Sequence, residues 1–228
     1  MKLRSAFSFV GTNFEKLLLI IVVVQLPLLL FHSFVTNMIY AVTPNPGTVY
    51  SVADFYYAFF TLFLFLYAQV PFIKYTYNEL EGRERPLRDA LLTFVVKGFP
   101  FFLFAGLFGL LAVIGFSLFV IPGFVLLAVI FTAPVIAVID EKSIWKSLKE
   151  STLLFKKNFM KILLLIFIWG CIELFLGIAL NQVVLNVTRS YAAIISVQML
   201  MNMLFYPVFV VLLTISTIHW RRDFNKLM

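Results

Sequence analysis

Long apolar runs separated by short polar clusters dominate the chain, and each run is long enough to form a membrane-crossing helix. The pattern predicts spans near 17–37, 55–73, 99–119, 122–139, 162–182 and 191–218. From Phe99 to Ile139 there are 41 residues without one Asp, Glu, Lys or Arg. As a single helix that stretch would measure roughly 60 Å, twice a hydrocarbon core of ~30 Å. Within it, FVIPGF (residues 119 to 124) permits two readings. Pro122-Gly123 can make a tight turn between two spans or a kink inside one, because proline fits a first helical turn and glycine tolerates turn geometry.

The basic residues separate these readings. With six spans and a cytoplasmic N-terminus, segments 1–16, 74–98, 140–161 and 219–228 lie on the cytoplasmic side and hold 17 of the 18 Lys and Arg, leaving only Arg189 outside. With five spans the split becomes 8 inside against 10 outside. Lys and Arg in short loops concentrate on the cytoplasmic side, so six spans are expected. Tyr40, Tyr50, Tyr56, Tyr57 and Tyr191 then fall near the outer boundary, and Tyr75, Tyr77, Trp145 and Trp220 near the inner one. Those are the levels amphipathic rings favour. The first run follows Lys2 and Arg4, yet it extends from about Leu17 to Val35 with no small-x-small cleavage pattern after it. It is expected to be a retained span.

A phrase recurs at the start of the odd-numbered spans. TNFEKLLLI at residues 12 to 20 matches KNFMKILLL at 157 to 165, and a weaker copy at Leu92, Val95 and Phe99 has Gly98 in place of Asn13 or Asn158. Upstream, Leu3, Phe7, Val10 and Phe14 recur at helical spacing, as do Leu148, Thr152, Phe155 and Phe159. In 141–157, Ile144, Trp145, Leu148 and Phe155 share one face, with Lys142, Lys146, Lys149 and Lys157 opposite. Such a segment is expected to lie along the cytoplasmic leaflet, apolar face in the acyl boundary and lysines toward headgroups. Returning spans two, four and six each carry a proline: Pro71, Pro134 and Pro207. The pattern predicts an all-α polytopic bundle, a single integral domain over 1–228. It would contain three hairpin units, each preceded by an amphipathic in-plane helix.

Composition agrees with this class. Apolar residues make up 62%, charged residues 13%, and mean hydropathy is +1.02; a soluble domain carries about 25% charged residues. The cytoplasmic segments hold 17 basic and 9 acidic residues, an excess suited to anionic headgroups. Nucleic acid is excluded as a partner, because the positive charge follows from topology and no basic domain lies outside the bilayer.

Residues 120 to 163, VIPGFVLLAVIFTAPVIAVIDEKSIWKSLKESTLLFKKNFMKIL, resemble the YciC-type bacterial inner-membrane proteins and the membrane domain beside some glycerophosphodiester phosphodiesterases. The shared pattern is a P-G turn, a span ending A-P-V, an acidic-basic segment, a Ser-containing amphipathic helix, then N-F and a new span. The resemblance implies a bundle of about six helices and no established activity. The catalytic domain of the fused relatives has no counterpart here.

Catalytic motifs are absent: there is no G-x-S-x-G, Gly-rich phosphate loop, H-E-x-x-H or C-x-x-C. Cys171 is alone, so no intramolecular disulfide forms, and His32 and His219 fall at opposite faces in this topology, so they share no metal. The N-V-T at 186–188 matches a glycan acceptor pattern that is common by chance. Glu173 is the one charge well inside a span. A carboxylate at that depth costs about 2.5–3.5 kcal/mol, so a cluster with Gln198 and Asn202 on span six, or Gln69 on span two, is expected. It would serve either as a protonated interhelical tie or as a proton- or substrate-linked site. Ala105, Gly109 and Ala112, with Gly106, Gly115, Gly170 and Gly177, predict close helix approach.

These observations predict a non-enzymatic multi-pass protein of the cell (plasma or inner) membrane, both termini cytoplasmic, without cofactor or metal. Its expected role is to organise lipids or partner proteins at the cytoplasmic leaflet, its expected partners being anionic headgroups, another membrane protein or a second copy of itself. The alternative is a small transporter or permease working through Glu173. A membrane enzyme ranks third, since only one buried acid offers itself.

Overall fold

The computed structural model describes residues 2–44 and 51–225; Tyr50 and Lys226 lie outside the described residues. The described chain is helical with no strand: α1 Lys2–Thr12, α2 Phe14–Ile20, a π-helical turn Ile21–Gln25, α3 Leu26–Val42, α4 Val52–Leu80, α5 Pro86–Leu118, α6 Val120–Ile139, α7 Ile144–Val187 and α8 Tyr191–Asn225. Six stretches are long and apolar enough to cross a membrane: Phe14–Val42, Val52–Leu80, Pro86–Leu118, Val120–Ile139, Ile144–Val187 and Tyr191–Arg222. β-Branched and aromatic residues are mediocre helix formers in water, but in lipid every backbone N–H and C=O must be paired within the chain, and a helix does that.

Local chemistry sets the breaks. Ser51 caps α4, accepting from the Asp54 N–H at 3.3 Å while Asp54 Oδ2 accepts from the Ser51 N–H at 2.7 Å. Gly82, at φ 68°, takes the left-handed conformation that ends α4, and Pro86 opens α5, where its missing donor is not needed. The reversal between spans three and four falls at Phe119, whose extended φ −153° and ψ 133° separate α5 from α6. It is not at Pro122-Gly123, as the sequence suggested; both lie in the first turns of α6. Gly123 is needed for contact instead: a Cβ there would lie 2.6 Å from the Phe116 ring, and its Cα lies 3.5 Å from where a Cβ on Gly115 would be. The small residues of α5 act likewise, since a Cβ on Gly109 would lie 3.4 Å from the Phe63 nitrogen of α4.

Asn13 and Asn158 adopt almost the same non-helical backbone, φ −109°, ψ 19° and φ −117°, ψ 25°. Each donates its side-chain amide to the carbonyl four residues back, Phe9 at 3.0 Å and Leu154 at 3.4 Å. Seven residues before each hinge lies a fully buried small residue, Ala6 or Ser151; four after lies a buried aliphatic, Leu17 or Ile162. At the third copy α5 runs unbroken through Gly98. There the same burial spacing (Ala90, then Phe101) counts from Lys97, one residue earlier than the sequence alignment placed it.

Helices α4, α6 and α8 pack against one another at the centre, with 50%, 61% and 56% of their apolar windows buried; spans one, three and five have 22%, 33% and 17%. The outer helices therefore present large apolar side chains such as Phe34, Leu111 and Phe175 outward, as a lipid-facing layer must. Ion pairs gather the charged segments at one end. Lys16 pairs with Glu79 at 3.4 Å, Lys74 with Glu141 at 2.6 Å, and Arg221 with Asp140 and Glu150 at 2.7 Å each.

Candidate functional site

A cavity of about 370 Å³ lies inside the bundle, bounded by α3, α4, α6, α7 and α8 and by the π-helical turn. Its location follows from a local irregularity. Pro27 follows that turn and has no N–H to give the carbonyl four residues back, and its ring would crowd it. The helix widens, with the Leu26 N–H bonding Ile21 O instead. Such π turns recur at functional sites because they redirect a side chain. Here the turn ends at Gln25, 3% exposed, whose Nε2 donates to the main-chain oxygen of Asn202 on α8 at 2.9 Å.

Gln25 Oε1 has no hydrogen-bond partner, and neither has Nε1 of Trp169, 7% exposed on α7; both residues line the cavity. A buried donor or acceptor left unmade costs about 1–3 kcal/mol, and both atoms are shielded from the cavity space by their neighbours. On the α3–α4 side, His32 Nε2 lies 3.0 Å from Thr61 Oγ1, and the Thr61 hydroxyl donates to Tyr57 O at 2.8 Å. Tyr206 donates to Phe65 O at 2.7 Å.

Glu173 lies on the cavity wall, half-buried, without a hydrogen bond or ion pair among the described residues. Of the residues expected to join it, the structure brings only Asn202 to the same cavity. Gln198 is exposed, and Gln69, 1% exposed, gives its Nε2 to Leu66 O on its own helix at 3.1 Å. The lining residues Gln25, His32 and Trp169 were not foreseen as a group; a lone Gln beside a proline in an apolar run was the one available signal. Neither Met201 nor Cys171 lines the cavity, while Gly170 does, and nothing lies within 4 Å of where its Cβ would be.

The amphipathic stretch of α7 differs from expectation. Ile144 and Phe155 are buried against the bundle rather than turned to the acyl boundary, and Trp145 rests on the Phe104 and Phe108 rings of α5 at 6.1 and 6.2 Å. Two small polar residues draw it in: Ser147 and Ser151 are 1% and 0% exposed, and Ser151 lies 2.5 Å from the Thr132 hydroxyl and donates to Val129 O at 2.6 Å. Lys146 and Lys149 are exposed, whereas Lys142 pairs with Asp140 at 2.8 Å and Glu150 at 3.5 Å. No group of three or more His, Cys, Asp or Glu among the described residues is placed to hold a metal ion.

Fold and site together define a class: a multi-pass helical membrane protein with a largely apolar cavity among its spans that carries one carboxylate. Compared with protein-family models, curated proteins and solved structures, the chain matches none.

Proposed function

We propose that the protein is a small permease-like carrier that takes a small molecule into the cavity around Glu173 and passes it across the membrane. One observation carries this reading: an unpaired carboxylate lines a cavity of about 370 Å³ among the apolar spans, a volume typical of small-molecule sites. A structural tie would have given Glu173 a partner. The prolines Pro71, Pro134 and Pro207 inside the three central helices leave carbonyls without their usual donors, which suits helices that bend during a transport cycle.

Three repeated units support the same reading, since transporters commonly place their sites where repeats meet. In this view each unit is an amphipathic helix followed by a hairpin, and each amphipathic helix leans on a central helix: α1 on α8, the start of α5 on α4, the start of α7 on α6. The basic end faces the cytoplasm by the distribution of Lys and Arg. A second role, holding anionic lipid at that leaflet, is favoured by the exposed Lys146 and Lys149. A place beside the YciC-type proteins is consistent with both.

Gly170→Leu tests the carrier, because it fills open space on the wall without touching a hydrogen-bonded group. Native mass spectrometry of detergent-released wild type should find a bound small molecule that Gly170→Leu loses at unchanged melting temperature. Identical content in both proteins would overturn the reading.

A further inference from the structure

The chemistry of the cavity specifies its occupant more narrowly. Glu173 is the one Asp, Glu, Lys or Arg among the described residues that line it. The other polar groups on the wall are the side chains of Gln25, His32, Thr61 and Asn202 and the Tyr57 and Tyr206 hydroxyls, none of them a second carboxylate or a Lys or Arg cation. The remaining wall is part aliphatic, with Leu28, Leu62 and Ile166, and part aromatic, with Phe65, Phe131, Trp169, Tyr206 and Phe209. Aromatic faces carry the negative end of a quadrupole, and a desolvated cation held over them is attracted, most strongly by tryptophan. A carboxylate in an apolar interior needs either a proton or a counter-cation. An anion would meet Glu173 with no Lys or Arg on the wall to offset it, whereas a cation would take the place of the proton and hold the carboxylate ionised.

We propose that the cavity binds a lipophilic monocation, an organic ammonium carrying an apolar or aromatic body. Its charged nitrogen sits at Glu173 and its body lies against Trp169, Tyr206 and Phe209. The assignment rests on the carrier reading above and narrows it to a substrate class.

Three probes of one shape and different charge test it: 4-phenylbutylammonium, 4-phenylbutanol and 4-phenylbutyrate. Each is measured by equilibrium binding to the purified full chain in nanodiscs, with Gly170→Leu as the background. The ammonium should bind saturably, one per chain, at least tenfold more tightly than the alcohol, and the carboxylate should not compete. Glu173→Gln should bring ammonium and alcohol to equal affinity, and Glu173→Asp should restore the preference. The proposal is overturned if the alcohol or carboxylate binds as well as the ammonium, or if Glu173→Gln keeps the preference. If none of the three binds although wild type carries a molecule that Gly170→Leu loses, the cation class fails and the carrier stands. If neither protein carries one, both fail.

Discussion

Asp140, just beyond the end of α6, accepts two hydrogen bonds from Arg221 at 2.8 and 2.7 Å and pairs with Lys142. Burial pushes its carboxyl up, but Arg221 and Lys142 outweigh that and hold it below its ordinary 3.8. Glu141 is held below 4.5 chiefly by the hydrogen bond and charge of Lys74, a residue only 4% exposed. Both carboxylates bind protons more weakly folded than unfolded, so their contribution is complete above the unfolded values and is lost as pH falls through the lower folded ones. Thermal melts in detergent should therefore show wild type more stable than Asp140→Asn at neutral pH, with the two curves converging below about pH 4. A gap that widened in acid would refute the sign. Arg221→Ala removes a bidentate, charge-assisted pair and leaves Asp140 and Glu150 short of a cation. A loss of about 1.5–3 kcal/mol is expected from chemical unfolding. At this scale the sequence was informative about charge and poor about pairing. Glu173 stood out by being alone in an apolar run, whereas nothing in the linear order connects Gln25 to Asn202 across 177 positions.

Among the elements, the α5–α6 reversal depends on one contact more than on its proline. Gly123→Ala would drive a methyl into the Phe116 ring, 2.6 Å away, and overpacking of that kind costs typically about 1–3 kcal/mol. Adding Phe116→Ala should recover much of the loss in a double-mutant melt, and additive losses would show that the ring is not the obstacle. The helical breaks at Asn13 and Asn158 were legible because the N-F phrase repeats, and the matching backbone angles give that repetition a geometric counterpart. The π-helical turn was not legible. A proline near the start of a helix is ordinary, and only the neighbouring helices determine whether the chain absorbs it as a kink, a break or a wider turn. The burial of the α7 serines was not legible for a similar reason. Their hydroxyls look solvent-facing until a carbonyl such as Val129 O is brought within reach.

For the whole molecule, the expected arrangement puts Glu84 and Arg189, both exposed, at opposite faces of the membrane. In a Cys171→Ser background, an impermeant maleimide applied to intact cells should label Arg189→Cys but not Glu84→Cys until the membrane is permeabilised. Labelling of both from outside would contradict the three crossings expected between them. The three central helices also suggest how load is distributed: substitutions in α4, α6 and α8 should lower the melting temperature more than equivalent ones in the outer spans.

The sequence by itself determined that six apolar helices form and which segments carry the charge between them. Hydropathy and charge are properties of a short stretch, and a bilayer tests each stretch nearly independently of its neighbours. Only the tertiary structure decided which returning helices occupy the centre, where the chain reverses between α5 and α6, and which polar side chains share the cavity. Those outcomes depend on the rotation of each helix about its axis, and rotation is set by close packing between partners distant in the chain, through small residues such as Ala6, Gly109 and Ser151 and through the wider turn that swings Gln25 toward α8.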